Sequence, residues 1–473
     1  MEQPSSKRFI AIGSMLFALF FGAGNLIFPA AMGQSAGANV WWAVLGFCVT
    51  GVGLPLLGII AVGYSGCRDL REVASRVHPL YGLFYTVVCY MAIGPCFAIP
   101  RTGTVSFEIA VRPFLGADPS AFALPIFLAF FLGISCWLAA SPSKLVDRIG
   151  KFLTPALLVT LAVMIVMSFA TPMGDFQAPG KAYDEPIKAA FQGVLDGYNT
   201  LDAIAALVFA TLIVNSVKEI GFTDPKAISS QVMKSGMLAC LLLALVYISI
   251  AKIGAESVAA IGMQDTGAPV LAESAKVFFG SFGAYLLAAI VLLACITTAV
   301  GLLTCCAAFF MQLTGKFTYV QWVIGFTVIS YLIGLFGLKT IIVSTIPVLM
   351  FIYPLCVALI ALIFLHKFFG GRQCVYAWTM GFTFVMALVN GAETAGISMT
   401  GLEEVLKAYV PLHTYGMGWI PFAIVGFVIG LIWKVAVPAK AAECCRLICK
   451  TTFNCFCCPP GVFFGRFFLL AKK

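Results

Sequence analysis

The chain has 473 residues, of which 61% are hydrophobic and 10% are charged, and its mean hydropathy is +1.02. Soluble globular domains carry about 25% charged residues, so the composition predicts an all-α protein with many membrane-spanning helices. The net charge of +9 does not indicate nucleic-acid binding, because the basic residues lie mainly between apolar segments. We expect a lipid bilayer as the surroundings, with no nucleic-acid partner and no obligate protein partner.

Twelve apolar segments are long enough to cross a bilayer, which takes about 20 helical residues. They lie near residues 9–32, 40–64, 80–102, 121–140, 150–170, 189–217, 231–254, 277–312, 317–336, 340–366, 374–392 and 418–437. With the N-terminus placed inside, 21 of the 29 Lys and Arg residues fall on the cytoplasmic side. This asymmetry predicts that both termini are cytoplasmic. The eighth segment is unusually long, so its helix either leaves the membrane or carries a break.

The first segment carries Gly22, Gly24 and Asn25 at mid-depth and closes with Pro29. Glycine favours an unwound backbone, and unwound backbone in hydrocarbon must be covered by protein or line a water-filled cavity. The pattern therefore predicts a broken helix that forms half of a binding site. Close helix packing at the glycines is the alternative reading.

The sixth segment has a similar polar centre, with Asp196, Gly197, Asn199, Thr200 and Asp202 between apolar flanks. Interrupted helices at corresponding places in two halves are typical of transporters built from inverted repeats. Segments 1 and 6 each begin a run of five, and five is odd, so the second run enters the membrane from the opposite side. We predict repeats over residues 9–170 and 189–366, followed by extra helices over 374–437.

Two facing breaks suit a zwitterion together with a cation. The N-terminal end of a half-helix favours a carboxylate, and the carbonyls at a C-terminal end favour an ammonium or a bare cation. The predicted substrate-binding residues are Gly22, Ala23, Gly24 and Asn25, through backbone N–H groups, with Tyr198, Asn199 and Thr200, through carbonyls, and Asp202.

Asp202 is the acidic residue of greatest interest, because a carboxylate deep in a span is costly and is a functional candidate by default. It could pair with a substrate amine, ligate a cation or carry a proton. Alternatively it only caps the half-helix that starts there. Asp196 lies nearer the outer end and is expected to be solvated.

Thr297 and Thr298 are adjacent hydroxyl residues in the apolar eighth segment. A single Thr usually bonds to a carbonyl of its own helix, but two in succession, with the carbonyl of Ala294, can offer hard oxygen ligands. Carbonyls of Ala18 and Phe21 could complete a site for Na⁺.

In the third segment, Gly94, Pro95 and Pro100 predict a bent helix. There, Arg101 either pairs with Glu108, which shares its face, or snorkels towards water.

Three stretches strongly resemble the bacterial branched-chain amino acid:cation symporter family (LIVCS, BrnQ-type). They are FGAGNLIFP at 21–29, AIGPCFAIPRTGTVSFE at 92–108 and LACITTAVGL at 293–302, and the likeness runs from about residue 9 to 433. The resemblance implies a LeuT-like five-plus-five fold in the cell inner membrane and uptake of leucine, isoleucine and valine coupled to Na⁺. It implies Na⁺ ligation by Ala18, Phe21, Ala294, Thr297 and Thr298, and it places Asn25 beside the substrate carboxylate. H⁺ coupling or another small neutral amino acid stays an alternative.

Other classes fit less well. The sequence has no charged ring or repeated filter loop of the kind that predicts a channel. It also has no His/Glu metal motif or Walker-type loop of the kind that predicts an enzyme. No cofactor is expected apart from the coupling ion. Residues 1–440 are predicted to form one membrane domain, and residues 441–473 a basic, Cys-rich cytoplasmic tail that lies on the membrane or is disordered rather than binding a metal.

Overall fold

The computed structural model describes residues 13–140, 159–219 and 225–437, except 15, 18, 19, 68, 117–119, 160, 161 and 164. Within these ranges all regular structure is helical, as predicted. The α-helices are α1 (Ala23–Ala36), α2 (Val40–Cys48), α3 (Leu54–Ser65), α4 (Leu70–Ala74), α5 (Pro79–Met91), α6 (Ala98–Ala110), α7 (Ala123–Ala140), α8 (Pro186–Tyr198), α9 (Asp202–Glu219), α10 (Pro225–Ile261), α11 (Gly267–Thr314), α12 (Tyr319–Gly334), α13 (Leu338–Phe364), α14 (Gln373–Thr394), α15 (Thr400–Tyr409) and α16 (Trp419–Ala436).

Both predicted helix breaks are confirmed. Residues 13–20 are helical where they are described, and the chain leaves the helix at Phe21 before α1 begins. Gly22 is extended there, with φ −126° and ψ −168°. In the sixth segment three residues separate the end of α8 at Tyr198 from the start of α9 at Asp202, and this turn contains Leu201 with a left-handed φ of 67°. A left-handed non-glycine residue is strained, so the surrounding structure must hold this turn.

Glycines allow the helices around the first break to pack backbone against backbone. A methyl group at Gly254 of α10 would overlap the carbonyl oxygen of Ala30 in α1, and one at Gly33 of α1 would overlap that of Ala251. Gly193 of α8 makes the same kind of contact with Ala43 of α2. Small residues permit such close crossings between membrane helices. They hold α1 close to α10, and α8 close to α2.

The third segment is bent, as predicted. A π-helical stretch at Ala92–Cys96 separates α5 from α6, and Gly94 within it has non-helical angles of φ −95° and ψ −124°. Pro100 lies in the first turn of α6, where proline is tolerated, so the bend falls before it. The long α11 also carries a break, at Gly280, whose φ is 61°.

The chain divides into two compact units, Met1–Ile60 with Tyr90–Thr345, and Ala61–Cys89 with Ile346–Lys473. The first unit contains both broken helices. In the second unit α14 packs against α16. A methyl group at Gly426 or Gly430 of α16 would come within 2.7–2.8 Å of the α14 backbone.

Eight helical spans among the described residues are long and apolar enough to cross a membrane, and the first of them, Ala23–Ser65, covers α1 to α3. The shorter Tyr319–Gly334 is also apolar. The count of twelve stays a prediction, because most of the predicted fifth segment at 150–170 lies outside the described residues. The predicted tail at 441–473 lies outside them too.

Candidate functional site

A cavity of about 40 Å³ lies in the first unit where the two helix breaks meet. It is lined by Phe20, Gly22, Ala23, Gly24, Asn25, Ile93, Ala98, Arg101, Thr102, Thr200, Leu201, Asp202, Ala205, Phe209, Thr298 and Leu302. The structure thus brings together seven of the predicted site residues, namely Gly22, Ala23, Gly24, Asn25, Thr200, Asp202 and Thr298. Others do not line this cavity: Phe21, Tyr198, Asn199, Ala294 and Thr297. Ala18 lies outside the described residues.

The first break is held by the side chain of Asn25. Its Oδ1 accepts a hydrogen bond of 2.9 Å from the backbone N–H of Gly22. The first N–H groups of an α-helix have no partner within the helix, and an amide three residues on can supply one. Among the predicted backbone donors, that of Gly22 is therefore already engaged inside the break.

The other end of the same amide reaches the second break. Asn25 Nδ2 donates to Asp202 Oδ2 at 2.6 Å and also contacts the hydroxyl of Tyr247. That hydroxyl donates to Asp202 Oδ2 at 2.9 Å. All three side chains are at most 2% exposed. Buried polar groups need such partners, so this network ties α1, α9 and α10 together around the cavity.

Asp202 begins α9, where the positive end of the helix dipole stabilises its negative charge. Its hydrogen-bond donors among the described residues include the side chains of Asn25 and Tyr247. Its backbone N–H donates to Thr200 Oγ1 at 3.4 Å, and that hydroxyl donates to the Gly197 carbonyl at 2.9 Å. The carboxylate is thus shared between helices rather than serving α9 alone.

Asp196 differs from its expected solvated position. Its carboxylate is half-buried and accepts hydrogen bonds from the Tyr183 hydroxyl at 2.6 Å and from Gln192 at 3.1 Å. These partners come from the segment before α8 and from α8 itself. Asp196 therefore joins the loop to the helix, away from the cavity lining.

Arg101 takes neither of its two expected positions. It is 4% exposed, and its Nη1 donates to the Asn199 carbonyl at 2.7 Å and its Nη2 to the Thr200 carbonyl at 3.4 Å. Glu108 pairs instead with Arg112, at 2.8 Å. The Arg101–Glu108 pairing is wrong because helical spacing considers one helix alone, whereas Arg101 reaches across to the carbonyls that the end of α8 leaves without partners in the helix.

Thr297 and Thr298 both donate to the carbonyl of Ala294, at 2.8 and 3.0 Å. This is the internal bonding expected of a single Thr in a membrane helix. A hydroxyl that donates its proton still has oxygen lone pairs, so Thr298, which faces the cavity, keeps the capacity to ligate a cation. Thr298 also lies against the first break, since a Cβ built on Gly22 would be 3.2 Å from its methyl group.

Sequence reasoning missed Tyr247 and the placement of Arg101. A tyrosine within an apolar span carries a hydroxyl that needs a buried partner, which was an available signal. A charged residue within a span is likewise a functional candidate by default. Neither signal identifies the residue with which the tyrosine or the arginine bonds.

Among the described residues no group of three or more His, Cys, Asp or Glu side chains could hold a metal ion.

The fold is that of a membrane transporter with LeuT-like architecture. The chain superimposes on Mhp1, a nucleobase-cation-symport-1 family transporter solved in a closed conformation with bromovinylhydantoin bound, with a TM-score of 0.58 and 16% identity. That match covers 89% of this chain and 91% of Mhp1. MhsT in complex with L-phenylalanine gives a TM-score of 0.55 at 18% identity, over 91% of this chain and 98% of MhsT.

The chain belongs to the family described as branched-chain amino acid transport protein, whose profile matches residues 5–437. It is 44% identical to the branched-chain amino acid permease BrnQ of Bacillus subtilis (strain 168), over 92% of this chain and 98% of the relative. The permease BraB of the same organism is also 44% identical, over 92% and 97%. The expected family and fold are confirmed, and the chain is a transporter rather than an enzyme.

Proposed function

We propose that this chain imports leucine, isoleucine and valine by secondary active symport with a cation, and that the cation is Na⁺. One observation carries the proposal: two helix breaks meet at a buried cavity whose lining combines the Asp202 carboxylate with apolar side chains. Relatives that are 44% identical are named branched-chain amino acid permeases, which supports the same substrates here.

The polar side of the cavity suits the backbone of an α-amino acid. Asp202 offers a carboxylate to the substrate ammonium, and the first turn of α1 directs the N–H groups of Ala23 and Gly24 towards the break. Opposite charges buried together are stabilised when each finds its partner. A zwitterion therefore fits this side better than an uncharged solute.

The apolar wall suits a branched aliphatic side chain. It is formed by Phe20, Ile93, Ala205, Phe209 and Leu302. Burying aliphatic surface there contributes about 25 cal/mol per Å². The present volume of about 40 Å³ holds only about three water molecules, at about 10–15 Å³ each. The site must widen to admit leucine, as alternating access between two states requires.

The cation is assigned to the junction of the first break and α11. Thr298 lines the cavity beside Gly22, and carbonyls of Phe21 and Ala18, with Ala294 and Thr297, complete the proposed ligand set. Binding there would stabilise the geometry of the first break, so that ion and substrate favour the same state. H⁺ is the second candidate, because Asp202 is 2% exposed and faces the cavity.

The proposal is tested with the purified full chain in proteoliposomes. Leucine uptake should saturate, should be driven by an inward Na⁺ gradient and should collapse when choline replaces Na⁺. Uptake that ignores this replacement but follows an acid-outside gradient assigns coupling to H⁺ instead. Counterflow with all twenty amino acids identifies the substrates, and a chain that exchanges none of the three branched ones overturns the proposal.

We further propose the cell inner membrane as the location, with both termini in the cytoplasm. The support is the excess of Lys and Arg in the segments assigned to the inner side. A membrane-impermeant label applied to intact cells should miss a tag at either end and reach it only after lysis. Labelling of intact cells at one end would reverse that end's assignment.

A further inference from the structure

Arg101 carries a buried, permanent charge within the site, and the proposed function gives this charge no role. Its guanidinium is 4% exposed and lines the cavity. Arginine does not lose its proton in proteins, so this charge persists at every physiological pH. Charged side chains inside a span are rare and mark substrate or ion pathways.

The guanidinium is held between the two helix breaks. On one side it donates to the carbonyls of Asn199 and Thr200, and on the other it lies against the first turn of α1. A Cβ built on Gly24 would be only 2.7 Å from Nη2. The group also lies over the ring of Phe28, with its central carbon 5.1 Å from the ring centroid. Gly24 thus leaves the space that the guanidinium occupies.

This placement changes which group each break can offer to a zwitterion. The Asn199 and Thr200 carbonyls, expected from sequence to hold the substrate ammonium, already bind Arg101. Arg101 and Asp202 line the same cavity. A cation and an anion in one small cavity match the two charged ends of an amino acid.

We propose that Arg101 binds the α-carboxylate of the substrate, opposite Asp202 at the ammonium, and that Gly24 provides the space for this contact. The planar guanidinium matches the geometry of a carboxylate, which a backbone N–H group alone does not. The site then accepts solutes with a free α-carboxylate and rejects their amides. This inference rests on the proposed function and specifies the substrate class of the same site.

The alternative is that Arg101 only satisfies the carbonyls at the end of α8. Both roles make the residue necessary for full activity, so loss of uptake does not separate them. They differ in the effect on ligand discrimination. A carboxylate ligand distinguishes leucine from leucinamide, which keeps the side chain and the ammonium. A group that only holds the turn affects both ligands equally.

The experiment measures the concentrations of leucine and leucinamide that halve uptake of radiolabelled leucine, using the full chain in proteoliposomes. In Arg101→Gln the leucine value should rise about 30-fold or more, as expected when one partner of a buried charge pair is removed. The leucinamide value should change much less, so the ratio of the leucinamide value to the leucine value should fall sharply. Arg101→Lys should retain part of the ratio. Arg112→Gln, an exposed arginine in the adjoining segment, is the matched control and should keep it.

A second variant covers the case in which Arg101→Gln does not fold. Gly24→Ala keeps the guanidinium but displaces it, and it should also lower the ratio of the leucinamide value to the leucine value. Gly301→Ala in α11 meets open space and should not. An equal loss for both ligands in the Arg101 or Gly24 variants overturns the inference. Failure of the unaltered chain to transport leucine overturns the proposed function instead, so the two failures are distinct.

Discussion

Replacing Asp202 with Asn tests the proposed contact with the substrate ammonium. Asn has nearly the same shape and keeps one oxygen, so the hydrogen bonds from Asn25 and Tyr247 can persist. What disappears is the negative charge. Asp202→Asn should therefore fold, and it should bind the zwitterion poorly.

The expected size follows from the burial of the carboxylate. The side chain is 2% exposed, so water screens its interactions little. Changing two charge-assisted hydrogen bonds into neutral ones costs about 1–2 kcal/mol of stability. Losing the partner of a buried ammonium costs about 2–5 kcal/mol of binding, which raises the leucine KM about 30-fold or more.

The assay is the initial rate of leucine uptake over a range of concentrations, with Na⁺ saturating. Competition by the 2-hydroxy analogue of leucine, which lacks the amine, should be affected far less than competition by leucine. Asp196→Asn is the matched control, since Asp196 lies on the neighbouring half-helix and bonds Tyr183 outside the cavity. A leucine KM within about threefold of the unaltered value in Asp202→Asn would refute the reasoning, because a buried charge partner is worth more.

Two further predictions concern the ion and the packing. Thr298→Ala should raise the Na⁺ concentration for half-maximal uptake about tenfold, as for a lost ligand worth about 1.4 kcal/mol, with little change in leucine selectivity; the reverse pattern places the ion elsewhere. Gly254→Ala should lower the melting temperature in detergent, because the methyl group overlaps a backbone carbonyl of α1 and overpacking costs about 1–3 kcal/mol. Gly301→Ala serves as its control, and equal melting temperatures for the two variants contradict the packing argument.

The helix breaks could be predicted from sequence because each is encoded locally. Gly22, Gly24 and Asn25 interrupt one apolar run, and the polar residues before Asp202 interrupt another. Composition at mid-depth in a span is a strong signal, since lipid leaves unwound backbone without partners. The pairing of the two breaks followed from counting segments, and the structure confirms that the two breaks meet at one cavity.

The partners across the cavity could not be predicted in the same way. Arg101 bonds backbone carbonyls 98 and 99 residues away in the chain, and carbonyls carry no residue type that a sequence could reveal. Helical spacing pointed to Glu108 because it describes only neighbours on one helix. Tyr247 likewise contacts Asn25 only because α10 packs against α1. The glycines of the two helices permit this packing, but their presence in the sequence does not predict it.

The amide of Asn25 has a mechanical consequence. One end is fixed to Gly22 and the other to Asp202, so a single side chain links the two points at which the helices can bend. A hydrogen bond of 2.6 Å is lost beyond about 3.5 Å, a displacement of about 1 Å and less than the rise of one helical residue. The two breaks can therefore shift relative to each other by no more than about 1 Å while this hydrogen bond holds.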